Sequence, residues 1–422
     1  MSAVTHPLPR AAVDAKLTAL MSTGAVALAV FLSGFVHQEP APYELVMAAL
    51  IPIWAVFGLR LSRTIAPLIV LLVLFNIGGW ISMLQMSEIG DTPHYLAITL
   101  FLSITGIFFA AVLEERPDLY RPIVLAWLAA AVLTALLGIL GYFNAFPGSD
   151  VFTKYERAAG AFKDPNVFGP FLTLPGIWLV HRILTGPVKR MPLYAAPLLV
   201  IALGLFLSFS RGAWGLFLFC ALLLVFALLI QHRSGFFRVR ILIMGVIATV
   251  ALAIALIVAL QIPAIADLFV ARAQLVQEYD GARLGRFARH WIGFAMAMEH
   301  PFGIGPLVFG RLYGEDTHNI WLKALLDYSW LGFGAYFLLI VWTLAAGLRI
   351  LFRDRPWQPI LLCAYIVLLG HVLLGAVIDT NHWRHFYLLL GMIWGALALE
   401  RHHQSERKGG AADGTAIEAT AR

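Results

Sequence analysis

Apolar runs of about twenty residues recur along the whole chain, separated by short polar stretches. That length matches the roughly 30 Å hydrocarbon core of a bilayer at 1.5 Å per residue. Backbone polar groups in lipid need internal partners, so each run is expected to be a helix. The two-residue alternation of a membrane β-barrel is absent. The pattern predicts about twelve spans, near 17–37, 43–60, 65–86, 95–113, 122–143, 167–185, 193–210, 212–231, 241–261, 319–349, 357–378 and 385–400. The tenth run is overlong and divides into a short re-entrant helix from Asn319 and a true span from about Trp330. The expected class is an all-α polytopic membrane protein: a cytoplasmic N-terminus over 1–16, a transmembrane domain over 17–401 with a long outer loop at 262–318, and a polar, disordered cytoplasmic tail over 402–422.

Composition excludes the soluble alternative. Of 422 residues, 60% are hydrophobic and 13% charged, against about 25% charged in soluble domains. Mean hydropathy is +0.83. The first apolar run lacks a clear cleavage site and leads into further spans, so it reads as a helix rather than a signal peptide. The two cysteines, Cys220 and Cys363, sit within apolar runs and read as core residues.

Charge sets orientation. With both termini cytoplasmic, about two-thirds of the 30 lysines and arginines fall on the inner side, as the positive-inside rule requires. The remainder cluster in a few outer segments. Long outer loops cross regardless of charge, which accounts for some of them. It does not account for Arg211, in the tight turn between the seventh and eighth spans, where a cation must snorkel or find an anion.

Four outer segments carry the candidate chemistry. Arg157–Asn166 contains Arg157, Lys163 and an Asp-Pro-Asn helix start. Ser208–Trp214 contains Arg211, whose planar fork suits phosphate. In Arg283–Gly305, Arg286, Arg289 and His290 share one helical face and Leu284, Phe287, Trp291 and Phe294 the other; a G-x-G turn follows. Asp316–Lys323 places His318 and Asn319 where the loop re-enters the membrane, and a neutral imidazole there can take a proton. A fifth segment, Asp379–Phe386, holds Arg384 and the pair His382 and His385; it reads as a polar rim rather than a metal site. His181 and His371, within spans, read as packing residues. Together these segments define a basic cavity on one face of a bundle, suited to a lipid-linked diphosphate and to base catalysis by a histidine. No nucleotide-sugar domain is visible, so the energy must arrive with an activated lipid-linked substrate.

In these motifs and their order — Arg157…Gly160…Pro165-Asn166, Ser210-Arg211-Gly212, Arg286…Trp291…Pro301-x-Gly303-x-Gly305 and His318-Asn319 — the chain resembles the O-antigen ligase and O-antigen polymerase superfamily over roughly residues 20–400. The resemblance implies a C-type glycosyltransferase-like fold in the bacterial inner membrane. It implies transfer of a glycan from undecaprenyl diphosphate on the periplasmic face, metal-independent and without cofactor. His318 would be the base, and Arg211 and Arg286 would hold the diphosphate; Arg157, Arg289, Asn319 and Arg384 are further substrate-binding candidates. The acceptor is a lipid A–core sugar in ligases and another lipid-linked glycan in polymerases; protein O-oligosaccharyltransferases are a third branch. Membrane lipids are the other expected partners, and nucleic acid is not one. A transporter is the alternative of a different class. It would put polar groups near the midplane, whereas here they gather on one face.

Overall fold

The computed structural model describes residues 10–232, 234–273 and 285–420. Helices appear where the apolar runs predict them. In chain order they are α1 (Arg10–Leu32), α2 (Pro42–Val56), α3 (Ala66–Met83), α4 (Thr92–Glu115) and α5 (Tyr120–Tyr142). A short hairpin, β1 (Thr153–Lys154) and β2 (Arg157–Ala158), precedes α6 (Pro165–Phe171), α7 (Thr173–Thr185), α8 (Met191–Leu207), α9 (Arg211–Gln231) and α10 (Gly235–Ala259). The remainder is α11 (Pro263–Ala273), α12 (Arg286–Glu299), α13 (Val308–Tyr313), α14 (Ile320–Asp327), α15 (Ser329–Ile350), α16 (Gln358–Leu374) and α17 (Arg384–Thr420). The protein is a polytopic all-α membrane bundle.

Among the described residues nine helices are long and apolar enough to cross a bilayer, against twelve expected spans. The second and eleventh runs form the shorter apolar helices α2 and α16. The twelfth lies within α17, which continues to Thr420 through the segment that composition reads as a disordered tail. Two expected spans are broken. Residues 167–185 divide at Leu172 between α6 and α7. Residues 319–349 divide at Tyr328, with Ser329 in the left-handed region at φ +62°, so a short helix precedes the span as the overlong run suggested.

Local chemistry sets several starts. Asp164 caps α6 by accepting from the Asn166 amide at 2.7 Å. Ser210 caps α9 from the Ala213 amide at 3.4 Å. Asn319 caps α14, accepting from Trp321 at 2.9 Å and Leu322 at 3.2 Å.

Membrane helices have no hydrophobic drive to associate, so close contact depends on small residues. Gly391 and Gly395 on α17 lie against α4, where a Cβ on Gly391 would lie 2.7 Å from Phe109 Cβ and 2.8 Å from the Gly106 carbonyl oxygen. Gly78 on α3 lies against Gly332 on α15, and a Cβ on Gly78 would come within 2.6 Å of the Gly332 nitrogen. Backbone cannot yield as a flexible side chain can. Gly78→Ala is therefore expected to cost about 1–3 kcal/mol, measured as a lower Tm and less folded protein in detergent. Gly24→Ala, with nothing within 4 Å, should be neutral.

The loops gather at two ends. One end holds the Arg157 hairpin, the α9 start, the loop before α14 and the α16–α17 connection. At the other, Glu400 accepts from Arg353 at 2.5 Å and Arg355 at 2.8 Å, and Arg240 donates to the Ile183 and Gly186 carbonyls.

Candidate functional site

The first cluster forms around the α9 start. Arg157, only 6% exposed, donates from Nε to the Ser208 carbonyl at 2.7 Å and from Nη2 to Asn166 Oδ1 at 2.9 Å. Ser210 Oγ donates to the same Asn166 oxygen at 2.9 Å. One amide oxygen thus ties β2, the α6 start and the α8–α9 turn together. Phe209, in that turn, is left-handed at φ +45°. Arg211 follows Ser210 as the first residue of α9, half-buried at a helix N-terminus. The dipole of a helix N-terminus favours an anion.

The second cluster surrounds His318. Loop and helix hold this residue from both sides. Thr317 is buried, its amide donates to Asp316 Oδ1, and its carbonyl accepts from His290 Nε2 at 2.9 Å. Asn319 starts α14, and the Ile320 amide donates to the Gly375 carbonyl at 2.8 Å. Between them His318 sits at φ +48°. A non-glycine residue in the left-handed region costs of order 1–3 kcal/mol and persists only where its surroundings impose it. The imidazole is 37% exposed, and its Nδ1 lies 4.0 Å from Asp379 Oδ2.

Beneath the imidazole lies a buried charge network. The Lys323 ammonium, its side chain 4% exposed, contacts Asp316, Asp327 at 3.2 Å and Asp379 at 3.8 Å. It also lies over the Tyr95 ring at 5.6 Å. Burial alone would raise the Asp316 carboxyl, but the Lys323 charge and the Thr317 amide outweigh it and hold it below the usual carboxylate range. Asp379 goes the other way: burial raises its carboxyl, with Lys323 opposing. Asp379 Oδ1 is buried without a hydrogen-bond partner among the described residues.

Two histidines near the α16–α17 connection are held by neighbouring side chains. His382 Nε2 bonds Thr99 Oγ1 at 2.9 Å, and its ring lies against Tyr95. Burial, then the Lys323 and Arg384 charges, push its pKa down to about 3, so it is neutral at ordinary pH. His385 is buried against Trp383 and His371. No group of three or more metal-ligand side chains forms among the described residues.

The two clusters meet at the α16 end. A Cβ on Gly212 would lie 3.0 Å from Leu374 Cδ1, and the next residue, Gly375, accepts the Ile320 amide. Arg211 and His318 therefore flank one helix terminus. The G-x-G turn closes the third side. Gly303 and Gly305 have φ of +80° and +98°, and Ser82 Oγ accepts from the Gly305 amide at 2.9 Å while donating to the Leu326 carbonyl at 3.0 Å.

Of the candidates read from the sequence, His318 and Asn319 adjoin at the α14 start, and Arg211 lies at the α9 start beside the Gly212 that approaches Leu374 of α16. Arg157 is adjacent but locked to Ser208 and Asn166. Arg289 is buried and paired with Glu315 at 2.6 Å. Arg384 donates to Glu44 at 2.5 Å and lies 3.6 Å from Glu39. Arg286 opens α12, and its side chain lies outside the described residues. The Asn319 side chain serves as the α14 cap. The apolar face expected on α12 points outward: Phe287, Trp291 and Phe294 are exposed, while Arg289 and His290 face the loop of His318. The sequence reading gave Asp379 and Lys323 no role. The i, i+4 spacing of Lys323 and Asp327 inside an apolar segment was the available signal.

Fold and site together define a membrane-embedded helical protein with a guarded histidine, a carboxylate beside it and an arginine at a helix N-terminus, all at one end of the bundle. Residues 196–337 match the family model described as O-Antigen ligase. The matched stretch includes Arg211, Arg286, Arg289, His318 and Asn319. No curated protein and no solved structure matches the chain.

Proposed function

We propose that the protein transfers a glycan from a polyprenyl diphosphate, in bacteria undecaprenyl diphosphate, to a sugar hydroxyl at the periplasmic face of the inner membrane. The observation that carries this reading is the accessible His318, with Asp379 beside it, across the α16 end from Arg211. In the proposed step His318 takes the acceptor hydroxyl proton. The acceptor oxygen bonds the anomeric carbon as that carbon's bond to the diphosphate breaks. The diphosphate leaves with the bonding electrons, and Arg211 and Arg286 stabilise its charge. Asp379 orients the imidazole and stabilises its protonated form, as a carboxylate does for a catalytic histidine. Arg157, Arg289, Arg384 and Asn319 position the loops. We favour a lipid A–core acceptor, as in a ligase. Polymerisation onto a second lipid-linked glycan is the alternative within the superfamily.

A strain deleted for the gene separates these outcomes. Long glycan accumulating on undecaprenyl diphosphate above a bare lipid A–core indicates ligation. Single repeats on the core with long chains missing indicate polymerisation. An unchanged glycan pool would refute transfer. Complementation with Arg211→Ala should leave transfer reduced by roughly 10²-fold, the cost of one lost transition-state donor. Arg211→Lys should recover only part of it, because a point charge cannot replace the two-pronged donor.

A further inference from the structure

We propose that a second cavity, beside the arginine cluster, binds the saccharide portion of the lipid-linked substrate; this rests on the transfer reading above. The cavity has a volume of about 720 Å³, within the roughly 300–1,000 Å³ typical of small-molecule sites. Its walls include Tyr142, Phe143 and Asn144 at the end of α5, Thr153 and Glu156 on the hairpin, and Asp267 on α11.

The chemistry of these walls differs from that of the neighbouring cluster. Among the described residues they bring two carboxylates, an amide, two hydroxyls and two aromatic rings, and no cation. Carboxylates repel a diphosphate but accept hydrogen bonds from sugar hydroxyls. Aromatic rings offer an apolar face to the C–H surface of a pyranose. The Tyr142 hydroxyl is buried without a hydrogen-bond partner among the described residues. An uncharged polyhydroxylated molecule fits; a phosphate does not.

The hairpin couples this cavity to the first cluster. Lys154 pairs with Arg157 across β1 and β2, leaving a two-residue turn of Tyr155 at φ +55° and Glu156 at φ +57°. Such turns ordinarily take Asn-Gly, because both positions need positive φ. Here strained residues hold Glu156 at the cavity wall, and its neighbour Arg157 is bonded to Ser208. On the other side Tyr142 packs near Phe209, ring centroids 6.1 Å apart, one residue from Ser210. Phe269 of α11 lies against Trp214 of α9. A substrate with its diphosphate at Arg211 would reach this cavity with its first sugars.

The test is native mass spectrometry of the purified full-length protein after incubation with a total lipid extract of its source cells. Wild type should retain polyprenyl diphosphate carrying sugars. In Glu156→Gln/Asp267→Asn, both changed side chains being exposed, the ratio of glycosylated to bare polyprenyl diphosphate should fall about tenfold, as expected for one or two lost hydrogen bonds. Tyr142→Phe should move the ratio in the same direction. Loss confined instead to a glycolipid lacking polyprenol would assign the cavity to the acceptor sugar. An unchanged retention of both glycosylated classes would overturn the saccharide site. Arg211→Ala should lose bare and glycosylated polyprenyl diphosphate alike. If wild type retains no polyprenyl diphosphate, the transfer reading fails and the saccharide site falls with it.

Discussion

His318→Ala is expected to lower glycan transfer by about 10²–10⁴-fold, the usual contribution of a positioned general base, while the protein stays folded in the membrane. The side chain is partly exposed and supports no packing core, so little stability depends on it. Two histidines near the α16–α17 connection, His382 and His385, are engaged elsewhere. His382 is tied to Thr99 and held neutral, and His385 is buried. Neither can substitute without moving the loop between α16 and α17. The measurement is transfer from purified lipid-linked glycan in detergent, alongside a gel of the complemented strain's glycans. Near-normal transfer by a folded His318→Ala protein would remove the assigned base. Asp379→Asn should lose less, on the order of tenfold, because it orients a group that remains present. It should also change the pH profile. The Asp379 carboxyl is raised above its ordinary value, so as pH falls it is protonated before an ordinary carboxylate would be. Wild type should therefore lose transfer on that acid limb, and Asp379→Asn should lack that limb.

Sequence made the helices legible and left their partners hidden. Apolar runs of membrane length mark helices because lipid leaves the backbone no other solution. The overlong tenth run showed its break in advance, since Asn319 is a cap in front of a segment too long for one span. Arg157, Arg211 and His318 were legible as cations and a base in places where lipid penalises charge. What could not be read is which of them already have protein partners. Arg384 meets Glu39 and Glu44 from a segment more than three hundred residues earlier. Arg289 meets Glu315 across the loop before α14. Such pairing depends on tertiary contact, and no local spacing encodes it. The strained hairpin turn was equally hidden, because Tyr-Glu carries none of the residues that signal positive φ.

Lys323→Met should be the most damaging single change to stability. It removes the one ammonium that Asp316, Asp327 and Asp379 share. Taking one partner out of a buried ion network leaves charges unpaired in a low-dielectric site, at a cost of roughly 3–5 kcal/mol. The expected readout is a large fall in Tm and in folded yield from membranes. Loss of packing alone would give a similar fall, so a second variant decides. Lys323→Met/Asp327→Asn removes one of the stranded carboxylates with little change of volume, and should recover part of the loss. No recovery would mean that the network is not held by charge balance. The same logic ties stability to the reaction. Asp316, whose carboxyl is held low by Lys323, contributes stability above the usual carboxylate range, and that contribution is lost as pH falls through its depressed folded-state value. Asp379, raised by burial, turns its second contact toward His318. A single lysine thus holds the α14 start in place and keeps the carboxylate beside the imidazole ionised, so the doubly substituted protein, even where it folds, should transfer more slowly than wild type.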